Sequence, residues 1–238
     1  MACWDKIRAA AQRPDCIFSA FPDGEAGAMY HPRSSAEEYL TLTNIKCESG
    51  EFVSHTAASN VSNSGGVILA GKSFNATFIV KFYLDLYEDA TAVYYAALLA
   101  GGGTGGHFSG MGVQAQSVSN GEIIFGAGLR YDIEVDGTVT SYRNYGTTFK
   151  TSIKQWHIVA IAVDFEKKTH TVYYDGTKHS TTTLPAGNLS FSAYQSLANA
   201  TPLAFELRNA AKGSIKGKYA MIFNRAMSDE EILYLMEE

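Results

Sequence analysis

Apolar and polar positions alternate over much of this chain, and the alternation is clearest in residues 77–87. Every second residue there, from Phe78 to Leu86, is apolar, while Lys81 and Tyr83 fall between them. A period of two predicts a β-strand with one buried face and one wetter face. Shorter strand-like segments recur at residues 39–45, 93–99, 122–125, 129–135, 138–145, 156–164, 169–174, 178–183, 203–208 and 214–223. Strands at this spacing, with little helical periodicity between them, predict an all-β sandwich or jelly roll of two antiparallel sheets.

Two dipeptides predict tight hairpin turns. Asp136-Gly137 and Asp175-Gly176 each separate two strand candidates. Aspartate followed by glycine suits a two-residue turn in which both residues take positive φ. We therefore expect neighbouring strands to pair across both turns.

The chain ends in a strand candidate followed by a capped helix. Ser228 fits the N-cap position, and Glu231, three residues later, completes a capping box. Met227 and Ile232 have the spacing of a hydrophobic staple. A helix this short does not hold alone in water, so we expect it to dock on the β-sheets.

A further helix is predicted within residues 1–15. Trp4, Ile7 and Ala11 recur on one helical face, and Pro14 ends the pattern. Two interpretations stay open for this segment. It packs on the outside of the sheets, or it acts as an arm for oligomerisation or docking.

Two sequence motifs near the C-terminus point to a known family. The first consists of Gly213, Ile215, Ile222, Asn224, Arg225, Ala226, Met227, Ser228, Glu230, Glu231 and Ile232. The second consists of Trp156-His157-Ile158-Val159-Ala160 followed by Tyr173-Tyr174-Asp175-Gly176. Together they resemble the motifs of laminin-G-like, concanavalin A-like jelly-roll domains, over roughly residues 150–238. The resemblance implies one jelly-roll domain, 16–238, after the helical arm of residues 1–15, with His157 as a packing residue. Such motifs specify a fold and are nearly silent about the ligand.

Composition narrows the classes of partner. The chain has 238 residues, of which 46% are hydrophobic and 18% charged, with a net charge of −5. Proteins that bind nucleic acids or anionic membranes carry clusters of Lys and Arg. Because the net charge of this chain is negative, neither is expected as its main partner. The sequence shows no apolar run of transmembrane length and no signal-peptide stretch at its start. We expect a protein that stays in the cell, is associated with a virion, or is exported by another route.

Cysteine and metal motifs add little. The three cysteines are Cys3, Cys16 and Cys47, an odd number without zinc-type spacing. Either a Cys3–Cys16 disulfide forms, or the thiols are reduced, as the lack of a secretion signal favours. No cofactor is predicted. The resemblance admits calcium, but the densest acidic segment, with Asp85, Glu88 and Asp89, has too few ligands to predict a site.

Residues 66–73 satisfy the spacing of a phosphate-binding P-loop, ending in Lys72-Ser73. That chemistry requires a strand before the loop and a helix after it, because the amides at the start of the helix hold the phosphates. Here the preceding residues are polar, and the following ones form the clearest strand of the chain. We therefore expect no nucleotide site.

The carboxylates around Glu134 are candidates for a glycosidase site, because glucanases on this fold carry a cluster of acidic residues on one strand. A retaining glycosidase needs two carboxyl groups about 5 Å apart. Glu134 and Asp136 are not followed by a second glutamate, and Asp136 belongs to the predicted turn. We therefore expect Asp132, Glu134 and Asp136 to form the wet face of an edge strand, and we favour binding over catalysis.

A set of aromatic and polar residues is the candidate ligand site. Sugars bind to exposed aromatic faces beside hydrogen-bonding groups. Residues 142–145 supply this mixture, and the glycine-rich loop 101–107 allows a close approach of the backbone to a ligand. The candidate ligand-binding residues are Tyr142, Arg143, Asn144, Tyr145, His107, Phe108 and Arg130.

Three functions from different classes follow. The favoured one is a non-catalytic recognition module that binds a glycan or a protein surface through loops of the sandwich. The second is a structural or adhesion component, such as a virion or cell-surface protein, which the N-terminal arm and the loops rich in Gly, Ser and Thr suggest. The third, a carbohydrate-active hydrolase or lyase, rests on fold analogy alone. A homo-oligomer is compatible with all three.

Overall fold

The computed structural model describes residues 3–22, 29–30, 40–43, 45–54, 59–63, 69, 71–86, 96–100, 103–104, 107–108, 110–119, 122–152, 154–192, 203–207 and 213–237. Two short helices bracket the described strands, α1 (Cys3–Ala11) and α2 (Asp229–Met236). The strands are β1 (Cys16–Phe21), β2 (Met29–Tyr30), β3 (Leu40–Thr43), β4 (Lys46–Glu48), β5 (Glu51–Ser54), β6 (Ser59–Asn63), β7 (Ala76–Leu86), β8 (Ala96–Ala100), β9 (Gly103–Thr104), β10 (His107–Phe108), β11 (Gly110–Ser119), β12 (Glu122–Val135), β13 (Thr138–Ser152), β14 (Trp156–Asp164), β15 (Thr169–Tyr174), β16 (Thr177–Thr183), β17 (Asn188–Phe191), β18 (Leu203–Leu207) and β19 (Gly213–Phe223). Neither helix is long and apolar enough to cross a membrane.

The strands form two large antiparallel sheets. Sheet I has the order β16-β15-β14-β7-β19-β1-β2, with β5 also on β19 and β4 on β5. Sheet II has the order β13-β12-β11-β8-β18-β6-β3, with β17 also on β12. This architecture confirms the predicted all-β antiparallel sandwich with a C-terminal helix.

The main core lies between the two sheets. Phe78, Val80, Phe82 and Leu84 of β7 are all at most 1% exposed, as their alternation predicts. From sheet II, Phe125 meets Phe82 edge to face, with ring centroids 5.3 Å apart. Burial of such side chains is the dominant stabilising term of the sandwich.

A second core covers part of the outer face of sheet I. Ile7 of α1 and Ile232 of α2 are both fully buried there, against Ile79 and Met221 of the sheet. The described N-terminal helix therefore packs on the outside of the sandwich, the first of the two interpretations above. The division into a 1–15 arm and a 16–238 domain stays a prediction, and so does a role of the arm in oligomerisation.

The helix caps and hairpin turns take the predicted forms. The Ser228 side chain accepts a hydrogen bond from the Glu231 amide, and the Glu231 side chain accepts one from the Ser228 amide. Both Asp-Gly turns have positive φ at both residues: 50° and 74° at Asp136-Gly137, and 42° and 74° at Asp175-Gly176. The β12–β13 and β15–β16 hairpins follow from these turns.

The disulfide alternative is wrong. Cys16 is a buried, reduced thiol whose Sγ lies 3.2 Å from the carbonyl oxygen of Phe18. Burial raises its pKa to about 12, so this thiol stays protonated and unreactive at neutral pH.

The sequence motif around Arg225 has a physical explanation. The guanidinium donates two hydrogen bonds to Glu231, at 2.7 and 2.5 Å, and pairs with Asp15 at the end of the α1 segment. Arg13 donates to the same Asp15 at 2.8 Å. One cluster of charges therefore fixes both helical segments to the sandwich.

Replacing Arg225 by Met is expected to lower the free energy of unfolding by about 1–2 kcal/mol. Glu231 loses two hydrogen bonds and Asp15 loses one at this half-exposed site, although Arg13 still pairs with both carboxylates. Urea unfolding at neutral pH measures the change. Lys178→Met is the matched control, because Lys178 makes an exposed pair with Asp229 at 2.7 Å that contributes under about 0.5 kcal/mol. Equal losses in the two variants would contradict a special role of the Arg225 cluster.

Candidate functional site

The structure describes only part of the predicted tyrosine site. Tyr142 on β13 is 44% exposed and stacks on Tyr131 of β12, with ring centroids 5.7 Å apart and an interplanar angle of 18°. The two residues are direct cross-strand partners. Burial, and secondarily the neighbouring Tyr142, raise the pKa of Tyr131. A rigid aromatic face is therefore accessible on the outermost strand of sheet II.

The other predicted residues are placed by their backbone alone. Arg143 is paired with Arg130, and Asn144 with Leu129, while Tyr145 falls where the β12–β13 register shifts. The pairing alternates faces along a strand, so Tyr142 and Arg143 occupy positions on opposite faces of sheet II. The side chains of residues 143–145 lie outside the described part of the structure.

Two further candidates belong to the glycine-rich connection between β8 and β11. His107 pairs with Thr104, and Phe108 with Gly103, in a short two-stranded sheet. Their side chains also lie outside the described residues. Arg130 is half-buried on β12, and its carbonyl oxygen accepts a hydrogen bond from the Ser192 amide at 3.1 Å.

The acidic residues of β12 do not have the surroundings expected of them. At Asp132 and Glu134, β12 is an interior strand between β13 and β17, so the predicted edge strand is wrong. Asp132 is 8% exposed and accepts a hydrogen bond from Ser141 Oγ at 2.5 Å, which makes it a structural acceptor. Glu134 is exposed, and Asp136 occupies the turn, as predicted.

The P-loop pattern forms no phosphate cradle in its described part. The Lys72 amide donates a hydrogen bond to the Leu69 carbonyl in a turn, and the Lys72 carbonyl accepts one from the Phe191 amide at 2.7 Å. β7 follows at Ala76 without an intervening helix.

Metal ligands are sparse in the described part of the chain, where no group of three His, Cys, Asp or Glu side chains is arranged to hold an ion. Glu88 and Asp89, considered for calcium, lie outside the described residues.

A surface that the sequence reasoning missed lies on the outer face of sheet I, beside α1. We call it the cation–aromatic face; it consists of Trp4, Arg8, Lys81, Tyr83, Trp156, Lys216, Lys218 and Tyr219. Trp156, Tyr83 and Lys216 form one row across β14, β7 and β19. Lys218 lies at the β-bulge between Gly217 and Tyr219, and a bulge of this kind can redirect a side chain.

Lysine ammonium groups lie close to aromatic rings on this face. Lys218 Nζ lies 4.9 Å from the ring centroid of Trp156 and 5.9 Å from that of Trp4, so one ammonium stands near both tryptophans of the chain. Lys216 Nζ lies 5.4 Å from the Tyr83 ring. Glu51 pairs with Lys216 at 3.3 Å and with Lys218 at 3.8 Å. The face is locally basic, although the whole chain is acidic.

A pocket opens at one end of this face, between α1 and the turn that joins β4 to β5. Its volume is about 300 Å³. The lining residues are Trp4, Arg8, Pro22, Ser49, Gly50 and Lys218. We call it the α1 pocket. A pocket of this volume can hold a small molecule or one chemical group of a larger ligand.

The sequence carried only a weak signal for this face. Lys81 and Tyr83 fall on the predicted wetter face of β7, and Lys216 and Lys218 flank a glycine in β19. Trp4 enters the sequence patterns only as one residue of a helical face, and Trp156 only as part of a structural motif. Only the pairing of distant strands brings these residues together.

Comparison with known proteins identifies the fold. No family model matches the sequence, and no curated protein matches it. Similar solved structures include the binding domain of botulinum neurotoxin serotype G (TM-score 0.57, 14% identity) and that of serotype D (0.59, 13%). The receptor-binding domain of the botulinum neurotoxin C/D mosaic serotype is a further one (0.60, 12%).

The match extends over most of this chain and part of each neighbour. It covers 93% of this chain, but 50% of the serotype G domain and 51% of the other two. The chain thus spans about half the length of these structures. At such low identity, the likeness shows a shared β-sandwich fold and no more.

Proposed function

We propose that this protein is a non-catalytic recognition module that binds a glycan or a protein surface. The observation that carries the proposal is the cation–aromatic face, where both tryptophans lie beside lysine ammonium groups on one side of sheet I. The similar structures are binding or receptor-binding domains of neurotoxins, and this supports a role in binding.

The chemistry of the face suits recognition. Tryptophan, tyrosine and arginine contribute most of the binding energy at protein interfaces, because they bury large areas and still offer polar contacts. Trp4 is 38% exposed, and its contacts with Phe21 and Tyr219 hold it in place. A ring held in this way loses little conformational entropy when a partner covers it.

The Tyr131–Tyr142 stack is a second contact surface in the proposal. It offers one accessible ring on β13. Contacts from the candidate residues Arg143, Asn144, Tyr145, His107, Phe108 and Arg130 are also part of the proposal, although Arg143 and its partner Arg130 fall on the opposite face of sheet II from Tyr142. No calcium ion or other cofactor is included.

A glycan array and a surface-display screen of extracellular protein domains would identify ligands. We expect Trp156→Ala to weaken the best ligand at least about tenfold, because an interfacial tryptophan is removed. Tyr142→Ala, which changes a more exposed ring on the other sheet, shows which surface is used. Both variants are first checked for unchanged thermal unfolding.

Two results would contradict the proposal. Absence of binding to every glycan and protein probe would favour a structural role. Release of reducing sugar that is lost in Glu134→Gln would show an enzyme instead.

A further inference from the structure

We propose that two copies of this chain associate through the open edge of β13. In this dimer, residues 138–142 of one copy pair with the same residues of a second copy in antiparallel fashion, so that sheet II continues from one molecule into the other. The inference goes beyond the proposed function, whose main surface, the cation–aromatic face, lies on sheet I. It also differs from association through the N-terminal arm, since α1 takes no part in it.

The turn at the tip of the β12–β13 hairpin fixes which backbone groups of β13 point outward. Asp136 and Gly137 both have positive φ, at 50° and 74°, which matches a two-residue turn of type I′. The residues that flank such a turn, Val135 and Thr138, form a hydrogen-bonded pair. Hydrogen-bonded and non-hydrogen-bonded pairs then alternate along the hairpin, and the register is unbroken up to residue 142. The N–H and C=O groups of residues 139 and 141 therefore point away from β12.

These outward-pointing groups lie at a sheet edge. β13 is the end strand of sheet II, and within the described strands it pairs with β12 alone. Residues 134–142 are all exposed. Val139 itself is 61% exposed, so this part of the edge is accessible to a second strand.

The hairpin carries exposed apolar side chains on both of its faces. Val135, Val139 and Tyr142 are 53%, 61% and 44% exposed, and they are three of the five large apolar side chains that the described residues leave exposed. Side chains alternate along a strand, so Val139 lies on one face of sheet II, while Tyr142 and Val135 share the other. A strand that added to β13 would cover apolar surface on both sides of the sheet, in addition to making backbone hydrogen bonds.

The edge lacks the features that usually prevent the addition of a strand. Charged residues, proline and bulges have this effect on edge strands. Residues 138–142 contain neither a charge nor a proline, and no register shift interrupts them. The edge strand β16 of sheet I differs, because it carries Lys178 and pairs with β15 through a register shift. The sandwich is therefore protected at β16 and open at β13.

A second copy fits this edge because the segment is complementary to itself. A two-fold axis at Thr140 places Val139 opposite Ser141 of the second copy, and the outward N–H and C=O groups then form about four hydrogen bonds between the chains. The same axis places Tyr142 opposite Thr138 of the second copy, which is a favourable pair of an aromatic and a β-branched residue, and Val139 diagonal to its own equivalent. No like charges meet, because the paired residues carry none.

The paired segment is short, so we expect a weak dimer. Pairing of residues 138–142 buries less than about 1,200 Å², the range of transient complexes. We therefore expect a dissociation constant on the order of 100 µM. Sedimentation velocity of the full chain, at concentrations from well below to well above this value, should show a reversible equilibrium between monomer and dimer.

Thr140 carries the decisive variants, because the two-fold axis brings its two copies directly opposite one another. Thr140→Lys and Thr140→Glu should each weaken the dimer at least about threefold through like-charge repulsion. An equal mixture of the two variants should restore association, and the restoration should diminish as NaCl rises. Val135→Ser is the matched control, because it removes an exposed valine from β12, away from the edge, and should leave the dissociation constant unchanged.

Amide hydrogen exchange gives a second readout at the same edge. The N–H groups of Val139 and Ser141 should exchange more slowly as the protein concentration rises, because they become bonded between the chains. The N–H group of Thr140 bonds within the hairpin, so its exchange should not depend on concentration.

Several results would overturn the inference. These are a monomer at every concentration, a dimer that both Thr140 variants leave intact, and a mixture of the two variants that fails to associate. An equal loss in Val135→Ser would show nonspecific apolar contact, and growth beyond a dimer would show open-ended addition of strands. Monomers whose Val139 and Ser141 amides are protected only by an added peptide of different sequence would assign the edge to a foreign strand. The ligand screens of the proposed function are decided separately, and Tyr142, which both proposals include, is left unchanged here.

Discussion

Acidification from pH 6.5 to pH 4 is expected to lower the free energy of unfolding by about 3 kcal/mol through His170 alone. This side chain on β15 is 1% exposed, and within the described residues neither ring nitrogen has a hydrogen-bond partner. Burial lowers its pKa to about 4, from 6.5 in the unfolded chain. Between these two values the unfolded state binds a proton that the folded state does not. Stability therefore falls as the pH falls through this range.

His170→Leu isolates this effect, because leucine fills similar space without a titrating group. The difference between the two stability curves, measured by urea unfolding at a series of pH values, should lie between pH 6.5 and pH 4. Bidentate hydrogen bonds from Arg225 lower the pKa of Glu231 to about 2, from 4.5, so its contribution is lost mainly below that window. Parallel curves for wild type and His170→Leu would contradict the prediction.

Thr77→Val is expected to destabilise the protein by about 2–4 kcal/mol, since two buried backbone groups lose their partner. Thr77 is fully buried on β7. Its Oγ1 donates to the Arg225 carbonyl and accepts from the Met227 amide, both at 2.9 Å. Valine has the same shape but can do neither, so the segment before α2 loses its attachment to sheet I.

Thr171→Val is the matched control for Thr77→Val. Thr171 Oγ1 lies 3.1 Å from Thr181 Oγ1, and Thr181 is exposed, so water replaces the lost partner. We expect a loss below about 1 kcal/mol for this variant. Thermal and urea unfolding of both variants give the comparison, and similar losses would show that the hydrogen bonds of Thr77 have no special weight.

Much of the fold was predictable because the sequence patterns that indicate it involve residues close together in the chain. The β14 and β15 bounds agree with the predicted 156–164 and 169–174, and both Asp-Gly turns and the capped α2 agree as well. Other elements gave weaker signals. Gly110–Ser119 is rich in small and polar residues, and Cys16–Phe21 is buried on both faces, so neither shows alternation. Residues 122–135, predicted as two strands, form one strand with a register shift.

The candidate site was predictable only in fragments. Tyr142 was predicted as a ligand-binding residue from its chemistry, and its side chain is exposed. Its stacking partner Tyr131 follows only from the strand register. Trp4 and Trp156 stand 152 positions apart, and nothing in the local pattern relates them. Lys218 near both rings results from the pairing of β19 with β7 and from the docking of α1.

The sequence by itself determined the class of fold, the hairpin turns and the C-terminal cap, because period-two alternation, positive φ and capping are properties of neighbouring residues. The tertiary structure decided which polar and aromatic residues share a surface. That depends on sheet order and on which part of the outer face the helices leave open, and these are set by packing between residues far apart in the chain. The cation–aromatic face is therefore a property of the assembled sandwich.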